Sequence, residues 1–134
     1  MEIFIGGKLA YGSGFLPIDR ENDRNALKSI NTAANYLKQN ICSIGIYPEG
    51  TRSKTGEVLP FHAGSFKIAK KAKVPLVIAS THGTEKATKN IFRRCTDVYL
   101  DILDVVDTDT VVSMKTKDLS DYARNLIIES LSDR

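Results

Sequence analysis

Three stretches of the chain repeat apolar residues at spacings of three and four, which is the period of a helix with one buried face. These stretches cover residues 23–39, 63–73 and 118–132. Asp23 is a suitable N-cap for the first helix, whose apolar face comprises Ala26, Leu27, Ile30, Ala33, Ala34 and Leu37. The outer face of the second comprises Lys67, Lys70, Lys71 and Lys73. The inward face of the third is expected to comprise Leu119, Tyr122, Ala123, Leu126, Ile127 and Leu131.

Four short apolar runs lie beside these stretches and predict strands. They are Phe15–Asp19, Ile41–Tyr47, Val74–Ser80 and Val98–Val106. The run from Ile41 is expected to be buried, with Cys42 in the core. The run from Val74 is continuously apolar, as strands covered on both faces are. The run from Val98 alternates with acidic residues, as half-exposed strands do.

The order of these elements is strand, helix, strand, helix, strand, strand and helix. Such alternation predicts an α/β fold in which helices flank a largely parallel central sheet. Residues 48–60 are expected to form a loop, residues 82–95 a polar and basic connection, and residues 2–11 a partial helix. No linker divides the chain, so we expect a single domain over residues 1–134.

Composition and charge narrow the functional classes. Hydrophobic residues make up 42% and charged residues 26% of the 134 residues, which excludes a disordered tail, a fibre and a coiled coil. Two cysteines are too few for a disulfide scaffold, which favours a reducing compartment. No apolar run approaches the roughly 20 residues of a membrane span.

The charge is unevenly distributed along the chain. Residues 1–95 carry 15 Lys and Arg against 7 Asp and Glu, whereas residues 96–134 carry 4 Lys and Arg against 9 Asp and Glu. The basic part suits phosphate, an anionic membrane surface or nucleic acid, unless the asymmetry is simply a solvated surface.

Two segments at the ends of predicted strands carry candidate chemistry. They are Gly14-Phe-Leu-Pro-Ile-Asp-Arg20 and Tyr47-Pro-Glu-Gly-Thr-Arg-Ser53. Ligands of α/β sheets bind beyond the carboxyl ends of strands. We therefore expect Arg20 and Arg52 to converge on one rim, where two guanidinium groups can bind phosphate oxygens.

The turn in the second segment offers two further groups. Gly50 lets backbone N–H groups approach a ligand closely because it has no Cβ. Glu49 can accept from ligand hydroxyls or tether the neighbouring arginine. Taken alone, however, Pro-Glu-Gly-Thr is at least as typical of a tight turn with a Thr51 cap and a surface salt bridge.

Together the segments resemble three of the four ordered blocks of the 1-acylglycerol-3-phosphate acyltransferases, the PlsC-like lysophospholipid acyltransferases. The segment ending at Arg20 resembles the second block, the segment from Tyr47 the third, and Val74-Pro-Leu-Val-Ile-Ala79 the fourth. Leu59-Pro-Phe-His-Ala-Gly-Ser-Phe-Lys67 resembles the family's Phe-Lys-x-Gly segment, although His62 stands where the family often has Lys. The resemblance covers about residues 2–131 and implies a glycerolipid acyltransferase-like α/β fold, incomplete at its N-terminus.

The resemblance also implies which residues bind the glycerol-phosphate part of an acyl acceptor. They are Arg20, Glu49, Gly50, Thr51 and Arg52, with Gly14, Pro48, Ser53 and Pro75 in support. The chemistry of the residues agrees, since a phosphate monoester needs fixed cations and a glycerol hydroxyl needs a carboxylate acceptor. Thr51 and Ser53 are expected mainly to organise the turn, and Pro75 to shape the start of the next strand.

The family's first block, His-x-x-x-x-Asp, supplies a general base and the carboxylate that orients it. The chain has only His62 and His82, followed five positions later by Lys67 and Ala87, so neither forms this block. We interpret His62 as a loop residue and His82 as part of a connection near the rim, and neither Cys42 nor Cys95 as a nucleophile. No catalytic residue is therefore assigned.

The absent block predicts an acyltransferase domain that is truncated before its second block, with Met1 an internal methionine or a fragment boundary. The alternative is a genuine short homologue that has lost its base.

The sequence is compatible with two functions. One is a portion of an acyltransferase that moves a fatty acyl group from acyl-CoA or acyl-carrier protein, as co-substrate, to lysophosphatidate at the cytoplasmic side of an anionic membrane surface. It requires no cofactor and no metal. The other is a non-catalytic binder of phospholipid head groups or phosphate esters.

Binding of nucleic acid is disfavoured, because aromatic residues make up only 7% of the chain and do not interleave with the basic residues. Without upstream helices the sheet is expected to expose apolar surface and to favour self-association.

Overall fold

The computed structural model describes residues 16, 23–51, 53, 55–84 and 95–132. It separates the chain into two compact units, Met1–Gly45 and Ile46–Arg134. The predicted strand Phe15–Asp19 and the partial helix at residues 2–11 lie outside the described residues, apart from Leu16. None of the described helices is long and apolar enough to cross a bilayer.

Helix α1, Asp23–Lys38, is the described helix of the first unit and matches the predicted one. Ala33 and Ala34 are each 1% exposed, as the apolar period predicts, but Leu27 is 53% exposed. The helix ends where Asn40 adopts a left-handed conformation with φ 54°. There the N–H of Ile41 donates to the C=O of Tyr36 and the N–H of Asn40 to that of Leu37, each at 3.0 Å. These two bonds satisfy otherwise unpaired carbonyls of the last turn.

The prediction of a buried strand at Ile41–Tyr47 is wrong. These residues form no strand, and Ile41 and Tyr47 are 59% and 75% exposed. Cys42, expected in the core, is exposed. A strand requires a neighbour that takes its N–H and C=O groups, and among the described residues no strand pairs with this segment. The apolar run is therefore insufficient to specify a strand.

In the second unit, the predicted helix at 63–73 begins as a 3₁₀ turn, Ala63–Phe66, and continues as helix α2, Lys67–Ala72. Lys73, in the left-handed region with φ 56°, ends it, and Pro75 follows two residues later. Lys70 does not belong to the outer face, because its Nζ donates to the C=O of Met114.

The sheet described in the second unit has two strands, β1, Leu76–His82, and β2, Tyr99–Val106. They pair antiparallel, from Leu76 opposite Val106 to His82 opposite Tyr99, with a register shift between Ile78 and Ala79. The mixed α/β class is confirmed, but the described residues form no parallel sheet. The alternation of elements along the sequence fixes the class without fixing which strands become neighbours.

Strand β1 is not covered on both faces, contrary to the prediction from its apolar run. Ile78 and Ser80 are 4% and 3% exposed, whereas Val77 is 53% exposed. Strand β2 is half exposed, as predicted, although Leu100 and Ile102 point outward. The exposed face of the sheet is therefore apolar.

Two helices follow the sheet. Helix α3, Thr108–Ser113, has no counterpart in the sequence prediction. Its N-cap is Asp107, whose side chain accepts from the N–H of Thr110. Helix α4, Thr116–Ser132, contains the predicted final helix. Its Leu119 is fully buried, but Tyr122, expected inward, is 41% exposed, and its hydroxyl donates to Asp104 over 2.7 Å.

The core of the second unit lies where α2, α3 and α4 pack on the inner face of the sheet. Its buried members are Phe66, Ala69, Ile78, Val106, Val111, Leu119 and Ala123. Burial of these side chains holds α4 against the rest of the unit.

Candidate functional site

The loop between Tyr47 and Phe61 carries the third-block residues and starts with a tight turn. The N–H of Gly50 donates to the C=O of Tyr47 over 3.1 Å, and the N–H of His62 donates to the C=O of Pro48 over 2.9 Å. Proline in the second position of the turn and glycine in the fourth are residues that type I turns favour. Gly50 has φ 68°, in the left-handed region, where a side chain would be strained. The chain direction after Glu49 therefore depends on this glycine.

Glu49 is anchored by the far side of its own loop. Its Oε2 accepts a hydrogen bond of 2.9 Å from the N–H of Leu59, at a partly buried position. Within the part of the chain that the structure describes, Oε1 accepts no hydrogen bond. One oxygen thus fixes the carboxylate, and the other remains able to accept from a ligand hydroxyl.

Arg124, on α4, holds the same side of the loop. Its Nη2 donates to the C=O of Val58 over 2.9 Å and its Nε to the C=O of Leu59 over 3.1 Å. Both bonds are partly buried and involve a permanent charge, which makes them stronger than neutral hydrogen bonds. Motif reasoning misses this residue. The feature of the sequence that could have indicated Arg124 is its position directly after Ala123, which the helical period places on the inward face of an amphipathic helix.

The middle of the loop is organised by short polar side chains. Ser53 Oγ accepts from the N–H of Gly56 over 3.0 Å, and Thr55 Oγ1 accepts from the N–H of Glu57 over 3.4 Å. Thr51 is exposed. An open cavity of about 330 Å³ lies between this part of the loop and α4, with Val58 and Arg124 among its lining residues.

The structure brings together some of the predicted site residues. Pro48, Glu49, Gly50, Thr51 and Ser53 share the one loop, whereas Pro75 lies exposed just before β1. Gly14, Arg20 and Arg52 lie outside the described residues. The convergence of the two guanidinium groups on one rim therefore stays a prediction.

The two histidines occupy different settings. His62 is exposed and precedes the 3₁₀ turn without capping it through its side chain. His82 is the last residue of β1 and not part of a connection, because the antiparallel pairing extends to it. Its Nδ1 lies 3.5 Å from Oδ2 of Asp101, and its ring stacks on Tyr99 with the centroids 4.8 Å apart. The cysteines, Cys42 and Cys95, are both free and exposed.

Comparisons with known proteins agree on one family. The Acyltransferase family model matches residues 2–80. The 1-acyl-sn-glycerol-3-phosphate acyltransferase of Saccharomyces cerevisiae is 28% identical over 136 residues, which cover 97% of this chain and 44% of the relative. The enzyme of the same name from Salmonella typhimurium is 30% identical over 128 residues, covering 95% and 52%. That from Cocos nucifera is 43% identical over 77 residues, covering 57% and 25%.

The chain thus spans about half the length, or less, of these curated relatives. No solved structure matches it. Arg124 lies beyond the residues that the family model matches.

Proposed function

The chain belongs to the acyltransferase family, and from this premise we propose that it is the acceptor-binding portion of a 1-acyl-sn-glycerol-3-phosphate acyltransferase. The names of the relatives support 1-acyl-sn-glycerol 3-phosphate as the acyl acceptor. The observation that carries the proposal is the Glu49 carboxylate, fixed through Oε2 by the N–H of Leu59. Such a carboxylate can orient a glycerol hydroxyl while arginines neutralise the phosphate.

In the proposed reaction, the free hydroxyl oxygen of lysophosphatidate attacks the thioester carbonyl of acyl-CoA or acyl-carrier protein. The new ester bond forms as the carbon–sulfur bond breaks. A general base takes the hydroxyl proton, and the leaving thiolate takes up a proton to become the thiol. Glu49 would accept the hydrogen bond that orients the glycerol, and Gly50 would let the backbone approach it. Arg20 and Arg52 would bind the phosphate.

This division of labour predicts that the 134-residue chain binds the acceptor but does not transfer the acyl group, because neither of its histidines belongs to a His-x-x-x-x-Asp block. The measurement is acyl transfer from acyl-CoA to lysophosphatidate by the purified chain. Transfer that is lost in His82→Ala or His62→Ala would contradict the assignment. Binding without transfer also fits a non-catalytic binder of phosphate esters, and a His-x-x-x-x-Asp sequence encoded in frame upstream would decide against that function.

Binding itself is tested by calorimetric titration with sn-glycerol 3-phosphate. We expect Arg20→Ala and Arg52→Ala each to weaken binding by about 1.5–3 kcal/mol, the range for hydrogen bonds to charged groups. Glu49→Gln should weaken it as well, whereas Glu57→Gln, in the same loop and exposed, is the matched control. Unchanged affinity in both arginine variants would overturn the phosphate-binding assignment.

The basic part of the chain supports peripheral association with an anionic membrane, since Lys and Arg near a lipid surface attract acidic head groups. Sedimentation of the chain with vesicles that contain phosphatidic acid, against vesicles of neutral lipid only, tests this part of the proposal. Equal sedimentation with both kinds of vesicle would contradict it.

A further inference from the structure

A single peptide unit connects Arg124 to Glu49. The C=O of Val58 and the N–H of Leu59 belong to the same planar amide. The C=O accepts from Nη2 of Arg124 over 2.9 Å, and the N–H donates to Oε2 of Glu49 over 2.9 Å. A permanent positive charge and a carboxylate thus interact with opposite ends of one amide dipole.

We propose that Arg124 is a positioning residue for Glu49 and acts through the Val58–Leu59 peptide. The inference rests on the proposed function insofar as Glu49 binds the acceptor. A hydrogen bond at the C=O polarises the amide and strengthens the bond that its N–H donates. Arg124 therefore fixes the orientation of the peptide plane and, through it, that of the carboxylate.

The guanidinium is suited to this task. Its N–H groups form a rigid planar fork, and two of them reach two successive carbonyls, those of Val58 and Leu59. Lysine provides a charge without that fork and cannot reproduce the paired contact. The peptide is consequently held against rotation, which one hydrogen bond would not achieve.

The position of Arg124 is itself fixed by packing. Its neighbour Ala123 is 3% exposed, and Leu119, one turn earlier on α4, is fully buried. The guanidinium therefore projects from a helix that is anchored in the core. A region outside the matched family segment, residues 2–80, thereby sets the geometry of a residue inside it.

The first experiment needs no ligand and measures the Leu59 amide by NMR. In Arg124→Met, we expect the Leu59 N–H to exchange with solvent about tenfold faster and its proton signal to move upfield, because the bond to Glu49 weakens. Glu49→Gln should produce a change in the same direction. Arg124→Lys should be intermediate, and Lys117→Met, an exposed cation on the same helix, should leave Leu59 unchanged. A Leu59 amide that is the same in Arg124→Met and in the unmodified chain overturns the proposal.

The second experiment separates positioning from general loop support. Arg124→Met should weaken binding of sn-glycerol 3-phosphate about tenfold but leave binding of inorganic phosphate unchanged, since only the former offers glycerol hydroxyls to Glu49. In a Glu49→Gln background the same substitution should have little further effect, as coupled residues are not additive. Additive losses, or an equal loss for inorganic phosphate, would show loop support only and overturn the proposal.

If the unmodified chain binds no sn-glycerol 3-phosphate, the proposed function fails. The Leu59 measurement then still decides whether Arg124 positions Glu49.

Discussion

At the scale of single residues, Gly83 controls how closely the two strands approach each other at one end of the sheet. It follows β1 directly and has φ 87°. A Cβ built on it would lie 2.6 Å from the carbonyl oxygen of Asp97, which belongs to the backbone and cannot rotate away as a side chain can. Both the backbone conformation and the neighbouring carbonyl therefore require glycine.

Three glycine-to-alanine substitutions separate these two requirements. Gly64→Ala meets no atom within 4 Å and no unusual φ, so its free energy of unfolding should change by less than about 0.5 kcal/mol. Gly56→Ala, with φ 84° and open space, should cost about 1 kcal/mol. Gly83→Ala should cost about 2–4 kcal/mol, because overpacking adds to the conformational term. Urea unfolding measures all three, and a Gly83 variant as stable as the Gly56 variant would show that the carbonyl yields.

The candidate site was partly predictable at this scale. Glu49 and Gly50 were identifiable because they stand in a contiguous motif whose chemistry can be interpreted locally. Arg124 was not, since its partners are 65 and 66 positions away along the chain, and no local pattern encodes a contact over that distance. The pairing of His82 with Asp101 was missed for the same reason.

At the scale of elements, periodicity predicted the long helices α1 and α4 and the strand β2, each within a few residues of its bounds. It failed at Ile41–Tyr47, because an apolar run does not reveal whether a partner strand exists. It also passed over α3, whose six residues include two threonines and two valines. These β-branched residues are poor helix formers, so this helix depends on its cap and its packing.

The cap of α3 predicts a dependence of stability on pH. A side-chain hydrogen bond from Thr110 and a bond from its backbone N–H lower the pKa of Asp107 below its ordinary value. A lowered pKa means that the folded chain favours the charged carboxylate. The stabilisation is complete above the pKa of the unfolded chain and is lost as the pH falls through the lower pKa of the folded chain.

We therefore expect stability to decline below about pH 4 and the decline to be smaller in Asp107→Asn, because asparagine also caps helices but does not titrate. The measurement is the urea midpoint at pH 3 and pH 6 in both proteins. The same pH dependence in the two would exclude Asp107 as a contributor.

At the scale of the molecule, the unit Ile46–Arg134 presents an apolar sheet face to solvent. Val77 lies opposite Val105 across the two strands, and the two are 53% and 58% exposed. Leu100 and Ile102 continue the same face, at 63% and 59%. Contiguous apolar patches of this kind are uncommon on soluble monomers. We therefore expect self-association to occur through this face of the sheet.

We predict that the purified chain binds a hydrophobic dye and that its apparent mass rises with concentration. Ile102→Lys should reduce both, because it places a charge in the middle of the face without disturbing the buried side of the sheet. Val112→Lys, at a residue of α3 that is 41% exposed, is the matched control and should alter neither. Light scattering after size-exclusion chromatography gives the mass, and a monomer at all concentrations would refute the prediction.

The separation of 65 positions between Leu59 and Arg124 also affects the order in which parts of the chain fold during synthesis. During synthesis, the loop that carries Glu49 leaves the ribosome well before α4 does. Contacts between distant segments must first meet the entropy of closing the intervening chain. The helices and the turn at Gly50 can form from local interactions, but the carboxylate acquires its final orientation only when α4 docks. We infer that the geometry of this proposed acceptor-binding carboxylate is established late in the folding of the unit Ile46–Arg134.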